Sequence, residues 1–245
     1  ISESWPLMSN IIVKPVETTR ERKLFLDFPW RLYHGDPNWI PPMRSNQKGL
    51  VGFTRHPFYE RNRSQAFLAY RDGEIAGRIL AIINQGHIER FQEPRGFFGF
   101  FESVDDERVA HGLFDAARQW LAGYGIESLR GPTNPSLNYE LGLLVEGFDT
   151  PPTFMMTYNP PYYQRLIESY GFRKTQDLYA YWGHVSMLPE IRAKLKPICD
   201  KIVERYDVKI RMLNKKRFLE DVELFLSIYN RSLVNTWGFV PMSPA

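Results

Sequence analysis

The sequence predicts an α/β fold built on a mixed, mainly antiparallel central sheet flanked by helices. Three observations carry that reading. Two apolar runs, residues 65–70 and 75–83, flank the turn Arg71-Asp72-Gly73-Glu74, a hairpin signal because Asp-Gly suits the left-handed turn positions. The run GFFGFFE, residues 96–102, is aromatic on both faces, as a central strand is. A stripe of Val109, Leu113, Ala117, Trp120 and Leu121 then recurs at helical spacing.

The remaining elements follow in order. Residues 11–16 read as a strand and 20–33 as a helix interrupted by Pro29. Residues 34–59, rich in Pro, Gly, Trp and Phe, read as an irregular flap over a pocket. The helix over 106–122 is capped by Asp105 or Asp106 and stopped by Gly123 and Gly125. Residues 126–130 return as a strand. The stretch 131–161, full of Pro, Asn and Gly, is long enough to be functional. A helix over 162–170 ends at Gly171, and a strand over 177–184 follows. Pro189 opens a helix kinked at Pro197, residues 208–213 read as a strand, and 218–233 form an amphipathic helix with Phe218, Val222, Phe225, Leu226 and Tyr229 on one side.

Composition narrows the function classes. The longest apolar runs fall short of the ~20 residues a membrane-spanning helix needs, and no signal peptide is visible. The single cysteine, Cys199, cannot pair within the chain, so a reducing compartment, the cytoplasm, is expected. A net charge of +3 is too small for a nucleic-acid footprint, and Lys215, Lys216 and Arg217 read as a solvated helix start. His34, His56, His87, His111 and His184 lack the spacing of a metal pair, so no metal is expected. The chain starts at Ile1 without an initiator methionine and stops at Ala245 after an apolar stretch, which suggests part of a longer protein.

Two motifs in this order resemble the GNAT superfamily of acyl-CoA N-acyltransferases. FLAYRDGEIAGRILAI is similar to its second and third strands, and YYQRLIESYGFRKTQDLYAY to its closing helix, Gly-Phe and strand. FPWRLYHGDPNWIPP, GFFGFFE, GPTNPSLNYELGLLVEGFD and YNPPYY resemble more specifically a group of uncharacterised bacterial tandem GNAT-like proteins. The resemblance implies a GNAT-like domain over 1–188, a linker helix over 189–206, and over 207–245 the opening strand and helix of an incomplete second GNAT-like domain. It also implies acyl-CoA or acetyl-CoA as co-substrate and a small-molecule or lipid-like amine as acceptor.

In that family the acyl-CoA lies against the fourth strand and the helix after it, with a Gly-rich loop offering N–H groups to the pyrophosphate. Here the corresponding stretch begins Ser103-Val104-Asp105-Asp106-Glu107 and lacks those glycines. Like charge thus stands where phosphate is expected. The tyrosine that many members carry four residues before the closing Gly is Ile167 here, and Tyr162, Tyr163 and Tyr170 read as packing residues.

Amine acylation needs a base. Glu102, ending the aromatic strand, and Glu140, before an apolar run, are the candidates; a strand-end carboxylate in water and a solvated loop residue are the alternative readings. Ser103, Val104, Asn134 and Asn159 are the candidate cofactor contacts, and Asn138, Tyr158 and Trp39 the candidate acceptor contacts. Asparagines in such loops also serve as turn formers. The apolar run 141–145 and the Met155-Met156 pair suit a lipid-like chain or a buried core equally. Two functions therefore stand: an N-acyltransferase, and a GNAT-like binding module without CoA-dependent activity.

Overall fold

The computed structural model describes residues 10–242; both chain ends lie outside the described residues. The chain divides into two compact units, one running to Arg173 and including Leu233–Pro241, the other Lys174–Ser232.

The first unit is organised by one five-stranded sheet, in the order β1 (Ile11–Pro15), β2 (Arg63–Arg71), β3 (Glu74–Ile83), β4 (Arg95–Ser103) and β5 (Ser128–Arg130). Neighbours are antiparallel except β4 and β5, which are parallel. β4 is therefore internal, as its two aromatic faces require. The hairpin turn has Asp72 and Gly73 both at positive φ, the geometry that matches the strand twist.

Side chains alternate between two cores. Phe67, Ala69, Ile79, Ala81 and Phe98 pack against α4 (Glu107–Ala122) and α5 (Tyr163–Ser169), whereas Leu68, Leu80, Ile82 and Phe97 pack with Phe25 and Leu26 of α1 (Thr19–Leu32). A capping box between Thr18 and Glu21 starts α1, an arrangement worth about 1 kcal/mol. The expected interruption at Pro29 does not occur: Tyr33 N–H bonds the Pro29 carbonyl at 2.9 Å and the helix runs through, one missing N–H being offset by burial of the ring. Asp106 caps α4 by accepting from Arg108 N–H at 3.0 Å.

Within β4 the alternation slips by one residue. Phe100 sits in the α1 core and Phe101 in the α4 core, the reverse of strict period-2 counting from Phe97 and Phe98. The cause is a bulge: Arg78 pairs with Glu102 and Leu80 with Gly99, so three steps on β4 oppose two on β3, and Phe100 takes φ 48°. The slip turns Glu102 onto the face of Arg78.

β5 accompanies β4 only as far as Phe97. Beyond that point residues 131–141 lie against β4 and form the small hairpin β6 (Thr133–Asn134) and β7 (Glu140–Leu141). Gly99 permits this approach, since a Cβ there would lie 1.7 Å from the Thr133 carbonyl oxygen. Two short helices inside stretches read as irregular or unassigned, α2 (Arg44–Leu50) and α3 (Gln85–Phe91), complete the unit; the Asn84 side chain caps α3 by accepting from His87 N–H. Leu233–Pro241 belongs to this unit too: Arg90 Nη2 donates to the Val234 carbonyl at 2.6 Å, and Asn138 Nδ2 to that of Val240 at 3.0 Å.

The second unit holds α6 (Leu188–Tyr206), with Pro189 in its first turn and Pro197 inside, and α7 (Phe218–Ser232). The expected strands over 177–184 and 208–213 are absent. A strand needs a neighbour for its N–H and C=O groups, and none is supplied here among the described residues. Tyr179, Tyr181, Trp182, Ile210 and Met212 stand exposed instead.

Candidate active site

The bulge places Glu102 at the centre of a buried polar cluster. Its Oε2 accepts from Tyr33 Oη and Tyr163 Oη, both at 2.7 Å. Tyr33 closes the C-terminus of α1, and Tyr163 opens α5. Arg78, directly opposite on β3, brings Nη2 to 3.6 Å from Oε1 and donates through Nη1 to the Phe25 carbonyl at 2.8 Å. Burial raises the Glu102 carboxyl above the usual carboxylate range, and Arg78 and the two phenols offset only part of that rise. Burial raises Tyr33 and Tyr163 well above the usual phenol range, with the Glu102 charge adding to it.

Glu140 stands on β7. Asn134 Nδ2 donates to its Oε1 at 2.7 Å, and Asn134 Oδ1 accepts the Phe100 N–H at 2.6 Å, so the side chain of Asn134 links the bulge to Glu140. Burial carries the Glu140 carboxyl up to about 7, the Glu102 charge adding to the rise and the Asn134 bond opposing it. Its second oxygen has no hydrogen-bond partner among the described residues.

The other candidate contacts are held within the protein. Ser103 is buried, its N–H donating to Tyr163 Oη and its carbonyl accepting from Tyr162 Oη, both at 2.8 Å. Val104 N–H goes to the Ala76 carbonyl. Asn159 is buried and clamps Leu144 through both N–H and C=O, and Asn138 holds Val240. Tyr158 donates to Asp36 Oδ2 at 2.7 Å. Trp39 stacks on Tyr33 with ring centroids 5.1 Å apart, so the flap reaches Glu102 through Tyr33. The structure thus gathers Glu102, Glu140, Asn134 and Ser103 around the bulge and sets Tyr158 and Trp39 against Tyr33.

Three residues that sequence reasoning missed complete the cluster: Arg78, Tyr33 and Tyr163. Arg78 left a signal, being the one basic residue inside the apolar run EIAGRILAII, with Glu102 on the next strand. Tyr163, read as packing, is the hydroxyl that bridges Glu102 and Ser103 N–H.

At the start of α4 the acidic residues are engaged in ion pairs. Arg165 meets both Asp105 and Glu107, and Asp106 takes Arg71 and Arg108 at 3.2 and 3.1 Å while capping the helix. These residues do not fit a pyrophosphate: the helix N-terminus already carries its own anion.

The chain matches no family model. It is 37% identical over 244 residues to Protein YghO of Escherichia coli (strain K12), covering 98% of this chain and 62% of that protein. It is 36% identical over 248 residues to the bacterial ceramide synthase of Caulobacter vibrioides, covering 97% of this chain and 61% of that one. The chain thus spans about three fifths of the length of these relatives. Among solved structures, an aminoglycoside N-acetyltransferase, AAC(6')-Iy, in complex with CoA superposes on 74% of this chain and 99% of its own, at 14% identity and TM-score 0.44. The five-stranded, mostly antiparallel sheet flanked by helices is the fold class the sequence predicts. Over nearly its whole length the chain is similar to Protein YghO and to bacterial ceramide synthase.

Proposed function

We propose that this protein takes part in N-acylation, moving an acyl group from acyl-CoA to the amine of a lipid-like acceptor. The observation that carries the reading is the pair of largely buried carboxyls at the β4 bulge, one of them held near neutrality. An ammonium must lose a proton before its nitrogen can attack, and a carboxylate with raised proton affinity suits that task at neutral pH. The relative named a ceramide synthase supports the acceptor class, since a ceramide is the N-acyl amide of a long-chain amino alcohol. Phe154, Met155 and Met156 stand exposed on the loop leading to Tyr158, which favours contact with an apolar ligand over a role in the core.

A second reading, a GNAT-like binding module without CoA-dependent activity in this unit, is favoured by one set of observations. The α4 N-terminus is filled by the protein's own acids, and the Phe100 and Ser103 N–H groups are taken by Asn134 and Tyr163. The test is incubation with acyl-CoA and a long-chain amino alcohol, with mass spectrometry for the amide and calorimetry for CoA. Amide formation abolished by Glu140→Gln supports the first reading. Amine binding without amide or CoA uptake establishes the second.

A further inference from the structure

We propose that the two carboxyls divide the work: Glu140 takes the proton from the acceptor's ammonium, and Glu102 is a fixed anion that holds the site's geometry and sets Glu140's proton affinity. The proposal rests on the N-acylation reading and deepens it.

The hydrogen-bond geometry separates the two groups. Glu102 Oε2 already accepts two phenol O–H donors, and Oε1 faces the Arg78 guanidinium. A proton arriving there would displace a phenol in a buried cluster and leave Arg78, buried on β3, without its counter-charge. Among the described residues Glu140 makes one hydrogen bond, from Asn134, and its other oxygen has no partner. Asn134 is itself fixed, because its Oδ1 holds the bulge N–H of Phe100. Glu140 is therefore oriented at one oxygen and available at the other, as a proton acceptor has to be.

The step balances simply: R–NH3+ and the Glu140 carboxylate become R–NH2 and the Glu140 carboxylic acid, the N–H electron pair staying on nitrogen. The charged groups that act on Glu140 are Glu102 from β4, which favours its protonated form, and Arg78 from β3, which opposes it. Tyr33 and Tyr163 act through Glu102, each phenol favouring its ionised form against the burial that disfavours it. They are positioning residues, and Tyr33 carries the Trp39 stack, so the flap bears on the same anion.

Carboxyl-detected NMR titration of the protein labelled at glutamate tests this without substrate. The parent should show one carboxyl with a midpoint near 7, missing in Glu140→Gln. In Glu102→Gln that midpoint should move toward the ordinary carboxylate range. Tyr163→Phe, a milder change if Glu102→Gln folds poorly, should move it in the same direction by weakening the hold on the Glu102 anion. In the acylation assay, Glu140→Gln should lower kcat by roughly 10²-fold and remove the acid limb of the pH profile, while Glu102→Gln should shift that limb to lower pH. A Glu140 carboxyl that titrates in the ordinary range overturns the proposal whether or not the protein acylates anything. An acid limb kept in Glu140→Gln and lost in Glu102→Gln reverses the roles. A near-neutral Glu140 that moves as expected, in a protein that forms no amide, sustains the electrostatic pairing and defeats the N-acylation reading alone.

Discussion

Two acidic clusters lie within a few residues of each other, and they differ in almost everything except charge. Glu102 is buried among two phenols and a guanidinium, each partner fixed by a different element. Asp105 and Glu107, at the start of α4, are about half exposed and share one flexible arginine, Arg165. An exposed ion pair is screened and contributes little, whereas an unpartnered buried charge costs several kcal/mol. The cluster that matters for folding is thus the one that also holds candidate chemistry, and the exposed one is a set of surface ion pairs around the helix N-terminus.

The comparison breaks most completely at Gly99. At the bulge that brings Glu102 opposite Arg78, the Thr133 backbone lies directly over Gly99. A methyl group there has nowhere to go, as the obstructing atom is backbone oxygen. Gly99→Ala should cost about 4 kcal/mol or more, a value reserved for severe core disruption, and should lower yield or melting temperature sharply. A near-parent melt would mean that residues 131–134 do not sit on β4.

Next in size is Arg78→Leu, which strands the Glu102 carboxylate in the core. The expected loss is about 3–5 kcal/mol by chemical denaturation. Arg165→Ala, the matching change in the exposed cluster, should leave the denaturation midpoint almost unmoved. Equal effects would erase the contrast between the two regions.

This contrast also shows what the sequence made legible. The hairpin, the internal aromatic strand and α4 were readable because each follows from a local period or turn. The bulge was not. GFFGFFE reads as uniform alternation, and the partners that hold the slip at Phe100, Asn134 and Thr133, lie more than thirty residues away. Glu102 and Glu140 were visible as carboxyls beside apolar residues; their clamps were not, because Tyr33, Arg78 and Tyr163 come from three separate elements. The strand patterns over 177–184 and 208–213 teach the converse: an apolar run becomes a strand only beside a partner.

A smaller effect sharpens the picture of Glu140. Its carboxyl is raised to about 7 when folded, above the ordinary value near 4.5 in the unfolded chain. The folded state therefore holds the proton more tightly, so this contribution to stability is fully present below about 4.5 and is lost as pH rises through 7. Glu140→Gln, which keeps an oxygen for Asn134, should stabilise the protein at pH 8 by on the order of 1–3 kcal/mol and by much less at pH 5. Melting curves of parent and variant at both pH values check this, and a pH-independent difference would mean that the carboxyl is not held near neutrality.

The smallest expected change concerns the exposed cluster and the co-substrate. With Asp106 capping α4 and Asp105 and Glu107 beside it, the helix start repels a pyrophosphate, and acetyl-CoA should bind with Kd above about 100 µM, less than ~5.5 kcal/mol. Replacing Asp105 and Asp106 together by asparagine removes two negative charges, keeps a side chain able to cap the helix, and frees Arg165 from one of its two carboxylate partners. Binding should tighten a few-fold, and more at low ionic strength, because charges at a solvent-facing helix end are screened by salt. Calorimetry on parent and variant at two salt concentrations provides the measurement. Tight binding by the parent that ignores both salt and the double substitution would place the phosphates away from α4. The acidic cluster would then be ordinary surface, and its contrast with the Glu102 site would be one of stability alone.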